Sequence, residues 1–179
     1  MHEESPKRVL LVGATGYAGR KLAEYLLTST DVTVILSGRN RSKLGNLQSS
    51  LPAVDLSRRT ELLELDAANI DVATLTDFDL LVNATGTGRH NALMIQACLE
   101  RRADWIDMQM TNELLNPPTE RRAKIERAGC RFVIQAGFHP GILAALVRHA
   151  SRQMDTIHSA IVGSVIGPPV KASATFSSQ

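Results

Sequence analysis

The stretch "LLVGATGYAGRKLAEYLL", residues 10–27, decides the fold. An apolar run enters it, three glycines turn it, and a run with helical spacing leaves it. Gly13, Gly16 and Gly19 stand at GxxGxxG spacing, one residue wider at the first step than the GxGxxG of the common dinucleotide fingerprint. The chemistry still works at that spacing. Gly13 permits a turn that is unfavourable to a residue with a Cβ. Gly16 lets a pyrophosphate approach the backbone, and Gly19 lets the helix pack close to the sheet. The start of the helix offers N–H groups and a positive dipole end to the phosphates. Thr15, Tyr17 and Ala18 complete the loop and are expected at the cofactor. Glycine spacing alone also suits an ordinary βα turn, and the strand–loop–helix context favours the dinucleotide site.

Outward from this loop, β-rich apolar bursts alternate with helical patterns. Strands are expected over 7–13, 31–39, 60–66, 77–86, 103–108 and 130–137. Helices are expected over 17–29, 40–51, 88–102, 112–129 and 139–154, with a short one over 69–76 capped by Asn69. Gly45 weakens the second helix, and Pro117-Pro118 interrupts the run at 112–129. Ala18, Leu22, Tyr25 and Leu26 are expected to share one face of the first helix at helical spacing, and Leu93, Ala97 and Cys98 to face inward from 88–102. The alternation predicts an α/β fold of Rossmann type, a doubly wound parallel sheet with its ligand crevice beyond the carboxyl ends of the strands. Residues 1–154 are read as this domain. Residues 155–179 are read as a strand-like run (156–167) and a Pro/Ser-rich tail, the start or remnant of a substrate or dimerisation domain.

Composition narrows the function. Twenty Lys and Arg balance eighteen Asp and Glu, so no general attraction to nucleic acid or membrane is expected. Aromatic residues make up 4% of the chain, which argues against a base-stacking platform. No apolar run reaches the length of a bilayer span, and "MHEESPKR" lacks the layout of a signal peptide. With two cysteines, no CxxC and scattered histidines, no metal site is expected, and a reduced, cytoplasmic protein is the default reading.

The end of the second strand selects the dinucleotide. An NAD site usually places Asp or Glu about 20 residues beyond the glycines. Here the sequence reads "ILSGRNRSK", with Ser37, Arg39, Asn40, Arg41 and Lys43 and no acid. Arg39 puts a guanidinium fork where a 2′-phosphate would lie, and Lys43 falls one helical turn on. A solvated basic helix start is the bland alternative, but cations are poorly placed at a helix N-terminus unless an anion is there. NADP is therefore favoured over NAD. Asp66 is expected at the adenine edge or, equally, as a helix cap. Asn83, Ala84, Thr85 and Gly86 are expected beside the ribose and nicotinamide side, the alternative being a plain βα loop with Gly86 as punctuation.

The order "GATGYAG", "SGRNRSKL", "ELD", "DLLVNATG", "ACLERRADWIDM" and "ERAGCRFVIQAGFHPGI" resembles the NADP-binding domain of the saccharopine dehydrogenase (reductase)-like family, from about Lys7 to His149. The resemblance implies Arg39 and Lys43 at the 2′-phosphate, Asp66 near the adenine, and Asn83 to Gly86 beside the nicotinamide half. It also implies a second domain, following 140–154, that builds much of the substrate site. His139 stands where many relatives carry Asp.

No residue is assigned as catalytic. His90 and His139 border the crevice but read as helix-start residues, Asp107 reads as a cap, and His149 and His158 lie away from the strand ends. The loop is also similar to that of acyl-phosphate and semialdehyde reductases, which use a nucleophilic Cys. Cys98 and Cys130 both read as structural, so that family is set aside. Three functions follow: the cofactor domain of an NADP-dependent oxidoreductase acting on an unidentified small molecule, a stand-alone non-catalytic NADP(H)-binding module that senses redox state, and an interaction protein with a vestigial loop. Residues 157–166 are expected to pair in a homodimer.

Overall fold

The computed structural model describes residues 7–51, 58–86, 88–109, 119–138 and 141–163. Six strands, β1 (Arg8–Val12), β2 (Thr33–Gly38), β3 (Thr60–Glu64), β4 (Leu80–Asn83), β5 (Asp104–Asp107) and β6 (Phe132–Val133), form one sheet. Its order is β3-β2-β1-β4-β5-β6, and every neighbouring pair is parallel. The helices placed among the described residues are α1 (Tyr17–Ser29), α2 (Arg41–Ser49), α3 (Asn91–Arg101), α4 (Thr119–Ala128) and α5 (Ile142–Ser151), with a 3-10 turn at Val72–Thr74.

The strands bury both faces, so alternate residues feed two cores. On one face Val9, Leu11, Val34 and Leu36 meet Ala23 and Leu27 of α1 and Leu44 and Leu47 of α2. On the other, Leu10, Val12, Ile35, Leu81 and Trp105 meet Met94, Ile95, Ala97 and Cys98 of α3. This is the three-layer, doubly wound arrangement expected from the sequence, and the strand order reverses between β1 and β4.

Several local expectations are corrected. The inner face of α1 is Gly19, Ala23 and Leu27, with Leu22 and Leu26 half-buried against the same core as expected, whereas Tyr25 is 64% exposed and Ala18 is exposed. Gly19 lies directly against Gly13 and Ala14, where a Cβ would have no room. The turn at Val72–Thr74 is capped by Asp71, whose carboxylate accepts from the N–H of Ala73, and not by Asn69. Asn69 instead donates to Asp66. Strand β6 has two residues rather than eight. Gln135 adopts φ 56°, which leaves the extended region, and its N–H turns to the Asp107 carboxylate.

Beyond β6 the chain folds back on itself. Gly141 (φ 132°) forms a bridge with Gly137, and the N–H of Ile142 donates to Gly137 O at 2.9 Å. A Cβ on Gly137 would stand 2.8 Å from Met108 O, so only glycine permits this approach. The expected strand at 156–167 is not formed over 156–163, its described part. Ile161 is 99% exposed there, and no described strand lies alongside to complete a ladder. Pro117-Pro118, His139, Pro140 and the tail from Ser164 lie outside the described residues.

Candidate nucleotide site

The strand register sets the site. Val12 pairs with Ser37 on one side and Asn83 on the other, and Asn83 pairs with Asp107. Ser37, Val12, Asn83 and Asp107 thus form one row at the carboxyl ends of four strands. The glycine loop, the basic segment and the 83–86 loop all leave from this row, across the point where strand order reverses.

In the glycine loop, Gly13 sits at φ 83°, as a tight turn requires. Its N–H and that of Ala14 donate to Ser37 O at 3.2 and 3.0 Å, so the turn is stitched to β2. Gly16 precedes α1 in extended conformation and provides no side-chain cap, and the first turn of α1 carries no acid. Beyond Gly13 O at 3.2 Å, a Cβ on Gly16 would meet nothing within 4 Å. The helix start is therefore an uncapped, positive end with open space before it, which suits a phosphate. Tyr17 is 84% exposed at this start, Ala18 is exposed beside it, and Thr15 O accepts from Arg20 Nε at 2.9 Å.

At the end of β2, Ser37 is fully buried, and its Oγ has no hydrogen-bond partner among the described residues. Arg39, Arg41 and Lys43 are exposed, and among the described residues none of them forms an ion pair. Asn40 caps α2, its Oδ1 accepting from the N–H of Lys43 at 2.9 Å. That bond fixes where α2 begins and hence how Arg39 and Lys43 are displayed. Asp66 is exposed two residues beyond β3. It holds a turn through Ala68 N at 3.1 Å and Asn69 Nδ2 at 3.2 Å, so it caps no helix.

The β4 side is polar and buried. Asn83 Oδ1 accepts from Thr85 N (3.0 Å) and Thr85 Oγ1 (2.7 Å), and Asn83 Nδ2 donates to Asn91 Oδ1 at 3.0 Å. Asn91 Nδ2 donates to Gln109 Oε1 at 2.9 Å, and Gln109 Nε2 donates to Thr85 Oγ1 at 3.4 Å. Ala84 N donates to Val12 O at 2.9 Å, and Gly86 is exposed. Sequence reasoning missed Asn91 and Gln109. The available signal was polar residues set among apolar ones in "HNALMI" and "IDMQM".

Asp107 is fully buried and caps no described helix. It accepts from Trp105 Nε1 (2.9 Å), Gln109 N (3.1 Å) and Gln135 N (3.1 Å), and so clamps the ends of β5 and β6 together. His90 stands at the N-cap position of α3 without a side-chain cap bond, a helix-start residue as expected. Cys98 is buried and Cys130 half-buried. Burial pushes both thiols above their ordinary range, which suits structural residues and not nucleophiles. No group of three or more metal-ligating side chains occurs among the described residues. No helix there is long and apolar enough to cross a membrane.

The chain is 26% identical to carboxynorspermidine synthase of Vibrio alginolyticus and 23% identical to that of Vibrio cholerae, matching over 83% of its own length in each case. It spans 41% of the length of these curated relatives. Its fold is similar to that of saccharopine dehydrogenase (L-Glu forming) from Saccharomyces cerevisiae. There the TM-score is 0.62 at 18% identity, covering 82% of this chain and 31% of the other. The family model described as "Saccharopine dehydrogenase NADP binding domain" matches residues 9–133, from the first residues of β1 to the end of β6. The chain belongs to this family of NADP-binding domains, and NADP is its cofactor.

Proposed function

We propose that this chain supplies the cofactor half of an NADP-dependent oxidoreductase that moves a hydride between the nicotinamide and a small amino-acid-like substrate. The observation that carries the cofactor assignment is at the end of β2. No acid is present there, while Arg39, Arg41 and Lys43 stand exposed, without ion pairs among the described residues, at the start of α2. Arg39 forks onto the 2′-phosphate with Lys43 beside it, and Ser37 and Asn40 shape the ribose side. Gly13, Thr15, Gly16, Tyr17, Ala18 and Gly19 surround the pyrophosphate, with Gly16 giving it room. Asp66 lies toward the adenine, and Asn83, Ala84, Thr85 and Gly86 toward the nicotinamide half. NADP supplies the hydride chemistry when bound. The protein's part is to bind it, orient it and exclude water.

The names of the relatives, carboxynorspermidine synthase and saccharopine dehydrogenase (L-Glu forming), support an amino-acid-like substrate. In this reading residues 1–154 are the cofactor domain and residues 155–179 are the start or remnant of a substrate or dimerisation domain. The test is NADPH consumption, followed by nicotinamide absorbance, with paired amino and carbonyl compounds of this class. Substrate-dependent consumption supports the oxidoreductase. NADPH binding with no consumption on any such pair, even where a substrate domain is supplied alongside the chain, supports a binding module instead.

A further inference from the structure

The buried ring Asn83–Asn91–Gln109–Thr85 joins four separate pieces of chain: the end of β4, the loop after it, the start of α3 and the residue two beyond β5. Asn83 and Asn91 are fully buried, and Gln109 is 5% exposed. Such a network is costly unless its members are satisfied, so it holds its shape firmly once formed. Its one partly exposed member is Thr85, and this residue reaches the glycine loop. A Cβ on Gly13 would stand 3.3 Å from Thr85 Cγ2 and 3.2 Å from Ala84 C. The ring therefore fixes how the 83–86 loop sits against the phosphate turn.

The two halves of a doubly wound sheet divide a dinucleotide between them. Here β1–β3 carries the basic segment at Arg39, so the adenosine half lies there and the nicotinamide half lies over β4–β6. We propose that Gln109 and Asn91 are positioning residues for the nicotinamide half: through Asn83 and Thr85 they hold the loop that lines its side of the crevice. Neither touches the cofactor itself. This rests on the NADP site proposed above.

The test compares NADPH with 2′,5′-ADP, which carries the 2′-phosphate and adenosine but no nicotinamide. Gln109→Met keeps the length of the side chain and removes both of its ring hydrogen bonds. Its affinity for NADPH is expected to fall about ten-fold or more, while 2′,5′-ADP affinity stays within about two-fold of wild type. If that variant does not fold, Gln109→Asn keeps the amide but falls one methylene short of Thr85, and the same comparison applies. Unchanged NADPH affinity, or a parallel loss of both ligands, overturns the positioning role while leaving the NADP site standing. Wild-type protein that binds neither ligand overturns both.

Discussion

A Cβ on Gly19 would stand 2.8 Å from Cα of Ala14, closer than real Cβ atoms approach. The same atom on Gly16 meets only Gly13 O, at 3.2 Å, and the backbone there is extended. The two glycines therefore do different work. Gly19→Ala must push α1 off the sheet and is expected to cost about 1–3 kcal/mol of stability. Gly16→Val is expected to leave most of the fold intact and to abolish NADPH binding by filling the pyrophosphate's place. Melting curves and NADPH titrations of both variants check this. A Gly19→Ala protein that melts like wild type would contradict the packing role, and a Gly16→Val protein that binds NADPH would contradict the phosphate role.

Gly45 sits in the middle of α2, and a Cβ there would meet nothing within 4 Å. Gly45→Ala should therefore stabilise the domain by about 0.5–1 kcal/mol, through helix propensity and a less disordered unfolded chain. Denaturant unfolding at unchanged cofactor affinity is the check, and a loss of stability would show a contact at this position that the structure does not contain.

The proposed site rests its cofactor choice on Arg39. Arg39→Ala is expected to weaken NADP binding by about 10- to 100-fold, the loss of charge-assisted hydrogen bonds, and to change NAD binding little. Equal weakening of both dinucleotides in a competition titration would remove Arg39 from the 2′-phosphate.

Two carboxylates link stability to acid pH. The N–H of Arg8, 2.8 Å from Asp79 Oδ2, is the main reason that Asp79 titrates below its ordinary value, with Lys7 adding to it against the effect of burial. Burial pushes Asp104 upward, but the hydrogen bonds and charge of Arg131 outweigh it and hold Asp104 low as well. Each group binds its proton more weakly folded than unfolded. Their stabilisation is present above the ordinary carboxylate value of about 3.8 and is lost as pH falls below it through the folded values. Asp79→Asn and Asp104→Asn should each be less stable at neutral pH and lose less stability on acidification below about pH 4. Unfolding curves taken at neutral and acid pH would contradict this if the variants tracked wild type at every pH.

The fold was legible where local chemistry and tertiary packing agree. The bounds of α1, Tyr17–Ser29, follow from the glycine turn before it and the loss of apolar spacing after it. Its inward face follows in part: Gly19 is legible from its spacing and Leu22 and Leu26 pack on the core, but Tyr25 and Ala18 fit the apolar spacing and still face solvent. The length of β6 was overestimated for a similar reason: "CRFVIQAG" reads as extended, but Gln135 departs from the strand to meet Asp107, a partner 28 positions away. In the proposed site, the glycines and Arg39 are marked by residue type and spacing. Asn91 and Gln109 do not, since the bond between them spans 18 positions and periodicity carries no sign of it.

Titration of the purified chain with NADPH and, in parallel, with NADH, followed by nicotinamide fluorescence, decides whether this crevice is an NADP site. Saturable NADPH binding to a single site per chain is expected, displaced by 2′,5′-ADP, with NADH about 10- to 100-fold weaker. No saturable NADPH binding, or NADH bound as tightly as NADPH, would contradict it.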